Sequence, residues 1–276
     1  MEKKLQFKVR DIPKIKIEGA EFFVDVDWQR LTDMRDMLND IYFFDLKDHG
    51  THYSFSYDPQ KRNIADSNSG GITVEIPQMV NLDPVGMAER YGCDLDSLTG
   101  KTDYEIIVNQ DLVKRREMGE LPVIEIEGYS FIVDIRMGCL RPKDDLQTAG
   151  IAFDTIPSID IEDGFQYLYF AYDPKRHKCV ALDERTITAI PEGVVVVEIP
   201  TVPQLDPIGF AREYGLDQIR TLREYPPIAN MKSKLIPWNY TPIERIIQRN
   251  QKKLLERHVI KINNRPKTRI RRGKKL

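Results

Sequence analysis

His49-Gly50-Thr51-His52, flanked by Asp45 and Asp48, is where histidines and carboxylates gather in this chain of 276 residues. Imidazole nitrogens converging across the glycine turn could hold zinc, or one of them could serve as a general base. Two pairs of carboxylates, Asp25 with Asp134 and Glu75 with Glu198, invite comparison with paired-acid hydrolases. Each pair occupies matching places in two similar stretches of the sequence. The stretch corresponding to the histidine cluster is Asp160-Ile161-Glu162-Asp163-Gly164-Phe165-Gln166, without histidine, so the cluster is read as a solvated hairpin turn. The four paired carboxylates sit in alternating strand patterns and are read as charges on sheet surfaces, facing water. No Gly-rich phosphate loop, Gly-x-Ser-x-Gly elbow or His-Glu-x-x-His helix occurs. The sequence therefore assigns no catalytic residue, metal ligand or cofactor. A metal-dependent or hydrolytic enzyme built on Asp45, Asp48, His49 and His52 stands as the alternative.

The sharper signal is electrostatic. The whole chain carries a net charge of −2, yet residues 244–276 hold 13 Lys and Arg against 2 Asp and Glu, leaving 28 against 41 over residues 1–243. Thr241-Pro242-Ile243-Glu244 reads as a helix start, with an N-cap threonine and a proline in the first turn. From there Ile243, Ile246, Ile247 and Leu254 fall on one face and Arg245, Arg249, Lys252 and Lys253 on the other, a basic amphipathic helix. Beyond it, Lys267, Arg269, Arg271 and Arg272 have the cation density that displaces counterions from phosphates without reading bases. These eight cations are the candidate contacts for DNA, RNA or another anionic partner. Docking of the tail on the chain's own acidic body is the competing use for them.

What positions these residues is a sequence that repeats itself. Pro13-Lys14-Ile15-Lys16-Ile17-Glu18-Gly19 returns 109 positions later as Pro122-Val123-Ile124-Glu125-Ile126-Glu127-Gly128. Tyr57-Asp58-Pro59 returns after 115 positions at Tyr172, Val74-Glu75-Ile76-Pro77 after 123 at Val197, and Leu82-Asp83-Pro84 after 123 at Leu205. The growing offset places small insertions between strands of the second copy, where loops tolerate them. Within a copy, Lys14–Ile17 and Ala20–Val26 read as a hairpin turning at Glu18-Gly19. Ile41–Phe44 and Tyr53–Tyr57 read as aromatic strands, the latter with its three rings on one face, and Ile72–Ile76 as a further strand. Asp83-Pro84 and Asp206-Pro207 start helices that stop at Tyr91-Gly92 and Tyr214-Gly215, and Thr102 to Glu105 is a capping box.

The expected fold is α+β: a tandem duplication of a small antiparallel sheet with a helix. Domains are expected over 1–120 and 121–225, followed by a Pro-interrupted segment and basic helix over 226–262 and a flexible tail over 263–276. The paired Ile-Glu-Gly, Tyr-Asp-Pro and Leu-Asp-Pro-x-Gly landmarks, with Ile236-Pro237-Trp238, resemble uncharacterised two-copy proteins of gut Bacteroidetes. That resemblance implies a setting among mobile-element or accessory genes and carries over no catalytic residue. With no run of about 18 apolar residues and no signal-peptide core after Met1, the expected location is the cytoplasm, without a membrane partner. Cys93, Cys139 and Cys179 do not match between copies, so they are read as buried or half-buried thiols. The function expected is a non-enzymatic binding or adaptor protein, whose sheet faces recognise protein and whose basic C-terminal part contacts an anion. A purely structural interaction module is the remaining alternative.

Overall fold

The computed structural model describes residues 10–68, 70–145, 150–161 and 167–263, the last seven as backbone only. Its strands are β1 (Lys14–Ile17), β2 (Ala20–Asp25), β3 (Arg30–Asp33), β4 (Asp40–Tyr42), β5 (Lys47–Asp48), β6 (His52–Asp58), β7 (Asn63–Ile64), β8 (Ile72–Pro77), β9 (Val123–Ile126), β10 (Tyr129–Asp134), β11 (Cys139–Pro142), β12 (Ile151–Ala152), β13 (Tyr167–Asp173), β14 (Lys178–Cys179), β15 (Val195–Pro200), β16 (Met231–Lys232) and β17 (Lys234–Ile236). The helices are α1 (Met79–Leu82), α2 (Pro84–Tyr91), α3 (Asp103–Ile107), α4 (Gln110–Glu117), α5 (Val202–Leu205), α6 (Pro207–Tyr214), α7 (Gln218–Glu224) and α8 (Ile243–Asn263). The fold is α+β. Among the described residues no helix is long and apolar enough to cross a membrane.

The chain forms two compact units that do not follow the two stretches of sequence. Unit 1 takes the chain up to Glu120 and also Asp206–Ala229, and unit 2 takes Leu121–Leu205 and everything from Asn230. The contiguous span 121–225 expected from the sequence is thus divided, because Ile208 of α6 and Leu222 of α7 belong to the apolar core of unit 1.

In unit 1, β1 to β4 form an antiparallel meander, and β6 pairs with β5, β7 and β8 in a second sheet. The first hairpin closes at Glu18 and Gly19, both with positive φ (45° and 82°), which fits the right-handed twist of the strands it joins. Ile41-Tyr42 joins the meander by pairing with β3, and Phe43–Asp45 turns into a single 3-10 turn rather than continuing the strand. Tyr53, Phe55 and Tyr57 share the buried face of β6 and meet Phe22, Leu31 and Met87 in one core.

In unit 2, one sheet runs β12-β11-β10-β9-β16 and the other β14-β13-β15-β17. Residues 231–236 supply an edge strand to each: β16 runs parallel to β9, and β17 antiparallel to β15. Phe170 and Tyr172 pack inward against Phe131, Val133 and Leu140. The opposite face of β13 and β15 carries Tyr169, Ala171 and Val196, all buried, whereas the matching positions of unit 1 are Ser54, Ser56 and Thr73. Among the described residues a second apolar cluster therefore lies behind the sheet of unit 2 alone, and it is α8 that fills it.

Candidate anionic-partner interface

The helix α8 is set on unit 2 by its own first two turns. Thr241 Oγ1 accepts from the Ile243 amide at 3.3 Å and donates to the Trp238 carbonyl at 2.7 Å, which fixes the chain's entry into the helix. Ile243 and Ile247 are buried against Ile159, Tyr169, Ala171 and Val196, with Ile246 partly covered beside them. Burying an isoleucine stabilises by roughly 1.5–3 kcal/mol, enough for two of them to hold a short amphipathic segment on a sheet. Asn250, itself buried, then ties the helix down by donating from Nδ2 to the carbonyls of Glu184 (3.0 Å) and Ile187 (2.8 Å). Gln251 adds a bond to the Thr188 carbonyl at 2.8 Å.

This docking decides where the cations point. Arg245, Arg249, Lys252 and Lys253 are all exposed, on the side of α8 opposite Ile243 and Ile247, and among the described residues none of them forms an ion pair. From Gln251 to Glu256 every side chain is exposed, Leu254 included at 41%. The apolar stripe expected over Ile243, Ile246, Ile247 and Leu254 is thus buried in its first half only. Lys267, Arg269, Arg271 and Arg272 lie outside the described residues.

The histidine cluster is a hairpin turn between β5 and β6. His49 and His52 stack with ring centroids 4.6 Å apart and planes at 9°. His49 Nε2 bonds Ser54 Oγ at 2.7 Å and His52 Nδ1 lies 3.0 Å from Thr51 Oγ1. The carboxylates have other partners: Arg220 donates to Asp45 at 2.6 Å, and Asp48 accepts from Gly50 N at 2.8 Å and Gln78 Nε2 at 3.0 Å. Among the described residues no group of three or more His, Cys, Asp or Glu is placed to hold a metal ion.

The paired carboxylates organise hairpins instead of facing water uniformly. Asp25 accepts from Trp28 N and Arg30, and Asp134 from Met137 N with Arg141 beside it at 2.9 Å. Asp134 and Glu198 are buried, contrary to the surface reading, because an arginine covers the first and Lys234 of β17 the second, at 2.9 Å. That same contact raises the Lys234 ammonium above its usual value. Glu75, the counterpart of Glu198, remains 70% exposed.

The most heavily buried charges lie in unit 1. Asp103, at the start of α3, is fully buried and accepts from Tyr53 Oη (2.7 Å) and from the Met79 and Val80 amides that open α1 (both 2.8 Å). Burial pushes its carboxyl above the usual carboxylate range, against those three donors. Arg223 of α7, 2% exposed, lies over the Tyr53 ring at 4.7 Å, donates to the Phe43 carbonyl and approaches Asp48 at 3.9 Å. This network fastens α7 into unit 1. Asp103 was readable only as part of a capping box. Arg223 and Asn250 had no sequence signal, since both are single polar residues in ordinary amphipathic helices.

Compared with family models, with curated proteins and with solved structures, the chain matches none. Its functional reading therefore rests on the placement of its own residues.

Proposed function

We propose that this chain is a non-enzymatic binding or adaptor protein that contacts a phosphate-bearing nucleic acid, without base readout, through the outward face of α8 and the basic residues that follow it. The observation that carries the reading is the docking of α8. Its apolar side is used up against β13 and β15, while Arg245, Arg249, Lys252 and Lys253 are held on the far side with no carboxylate partner among the described residues. Four cations on a fixed scaffold add a positioned element to the run of Lys267, Arg269, Arg271 and Arg272. Asp45 and Asp48, the carboxylates of the enzymatic alternative, are engaged by Arg220 and Gln78, which weighs against that reading.

The body that carries the helix is read as a tandem duplication. Matched sequence offsets support this, as do two helix caps, at Asp83 and Asp206, with nearly the same backbone geometry (φ −145°, ψ 70° and φ −149°, ψ 80°). Three free thiols, with the Cys179 thiol pushed up to about 12 by burial, support a reducing, cytoplasmic setting. A second reading, a structural interaction module, is favoured by the burial of Ile243 and Ile247, through which the helix also serves the fold.

Charge reversal of Arg269, Arg271 and Arg272 to Glu tests the proposal. Binding to labelled single- and double-stranded DNA and RNA is expected to vanish with an unchanged melting temperature. Unchanged affinity would sink it.

A further inference from the structure

In unit 2 one short segment closes two sheets. Met231 pairs with Ile124 and Lys232 with Glu125 along β9, and then Lys234, Leu235 and Ile236 pair with Glu198, Val197 and Val196 of β15. Met231, itself buried, completes the cover of Ile124, which is wholly buried. Lys232 Nζ meets Glu125 at 3.2 Å and Lys234 Nζ meets Glu198 at 2.9 Å, so each sheet contributes one carboxylate to the strap. Between the two, the Ser233 amide donates to the Glu125 carbonyl at 2.8 Å, which brings in the backbone of β9.

Unit 1 presents the matching edges, and among the described residues no strand pairs with either. The offset of 109 sets β1 against β9, and that of 123 sets β8 against β15. Val24 N donates to the Pro13 carbonyl, which fixes the alternation along β1: Lys16 turns its N–H and C=O away from β2, as Glu125 does from β10. Cover is thinner at the same places. Ile15, the counterpart of Ile124, is only half-buried, and β8 exposes Ile72, Thr73, Glu75 and Pro77 where β15 is buried from Val196 to Pro200. Edges of this kind recruit extended peptides, with backbone bonds giving affinity and side chains giving specificity.

We propose that unit 1 binds an extended segment of another protein, added as a strand to β1 and then to β8, and that it selects the segment by charge. Where unit 2 presents Glu125 and Glu198, unit 1 presents Lys16 and Glu75, both exposed. The ligand therefore carries an apolar residue over Ile15, an acid next to it opposite Lys16, and any residue at the crossing. A lysine opposite Glu75 and an apolar residue opposite Val74 follow, in the places that Lys234 and Leu235 take in unit 2. The single charge reversal on the sheet thus sets a single reversal in the ligand. It also selects against residues 231–236 of a second copy, which would set Lys232 against Lys16.

Binding of labelled peptides to the full-length protein tests this. The probe is Met-Glu-Ser-Lys-Leu-Ile, the strap of unit 2 with its first lysine replaced by glutamate and both ends blocked, and the comparison is Met-Lys-Ser-Lys-Leu-Ile. Fluorescence anisotropy is expected to show the first binding at least about fivefold more tightly, and the order to reverse on the Lys16→Glu protein. Hydrogen exchange at the Lys16 amide, fast in the protein alone, slows when the first peptide is added. Should Lys16→Glu disturb the hairpin, Glu75→Lys with the peptide Met-Glu-Ser-Glu-Leu-Ile repeats the comparison at the other sheet. Equal binding of the two peptides, binding of neither, or a Lys16 amide already protected in the protein alone would overturn the proposal. Protection that grew with protein concentration would overturn it as well, by assigning the edges to a second copy.

Discussion

Arg116 grips Asp206 through its Nε, 3.0 Å from both carboxylate oxygens and 90 residues away in sequence. Asp206 in turn caps α6 by accepting from Gly209 N at 2.9 Å, and it is 1% exposed. Arg10 and Asp83 repeat the arrangement at α2, where Asp83 accepts from Gly86 N at 2.9 Å. Each pair joins the lead-in to one repeated stretch with a helix, and all four residues belong to unit 1.

Breaking the pair on one side strands a buried carboxylate. Arg116→Ala is expected to destabilise the protein by on the order of 3 kcal/mol, since the buried Asp206 loses the cation that compensates its charge and keeps the hydrogen bond from Gly209 N. Chemical denaturation measures it, and the less buried Arg10→Ala should cost less.

The glycine of the Leu-Asp-Pro-x-Gly motif is set by the same geometry. A Cβ at Gly209 would collide with the Asp206 carboxylate and crowd Arg116, and one at Gly86 would do the same to Asp83 and Arg10. Gly209→Ala should lower stability by roughly 2 kcal/mol although alanine is the better helix former, as a shift of the denaturation midpoint would show.

Asp103 makes stability depend on pH in an unusual direction for a carboxylate. Its pKa is raised in the folded protein by burial, so between the ordinary aspartate value and the folded value the native state holds the extra proton. Its contribution to stability is then fullest at low pH and fades as pH rises through that window. Comparing the wild type with Asp103→Asn between about pH 3 and pH 7 isolates the effect: the advantage of the wild type should shrink as pH increases.

Asn250 is the fastening of α8. Asn250→Leu leaves the Glu184 and Ile187 carbonyls without their donor and is expected to cost about 1–3 kcal/mol. Hydrogen exchange across residues 243–250 should accelerate locally before the body of unit 2 opens.

Local signals were legible in the sequence and long-range ones were not. Asp83-Pro84, Asp206-Pro207 and Glu18-Gly19 specify their caps and turn through neighbours within four residues, so their structures follow directly. The placement of Asp206–Ala229 in unit 1 depends on which core receives Ile208 and Leu222, and an amphipathic helix states only that it has an apolar side. The docking face for α8 was present in the pattern: Tyr169, Ala171 and Val196 stand where the first stretch has Ser54, Ser56 and Thr73. Glu198 looked like a water-facing strand residue because alternation cannot foresee an added edge strand carrying Lys234.

The most direct test of the central claim is fluorescence anisotropy of labelled DNA and RNA across a salt series. It compares the full-length protein with a variant carrying Arg245→Glu, Arg249→Glu, Lys252→Glu and Lys253→Glu. Engagement of nucleic acid by the outer face of α8 predicts weaker binding and a log-affinity versus log-salt slope reduced by roughly one for each phosphate that the variant no longer neutralises, with an unchanged melting temperature. Equal affinity and equal slope in the two proteins would contradict it.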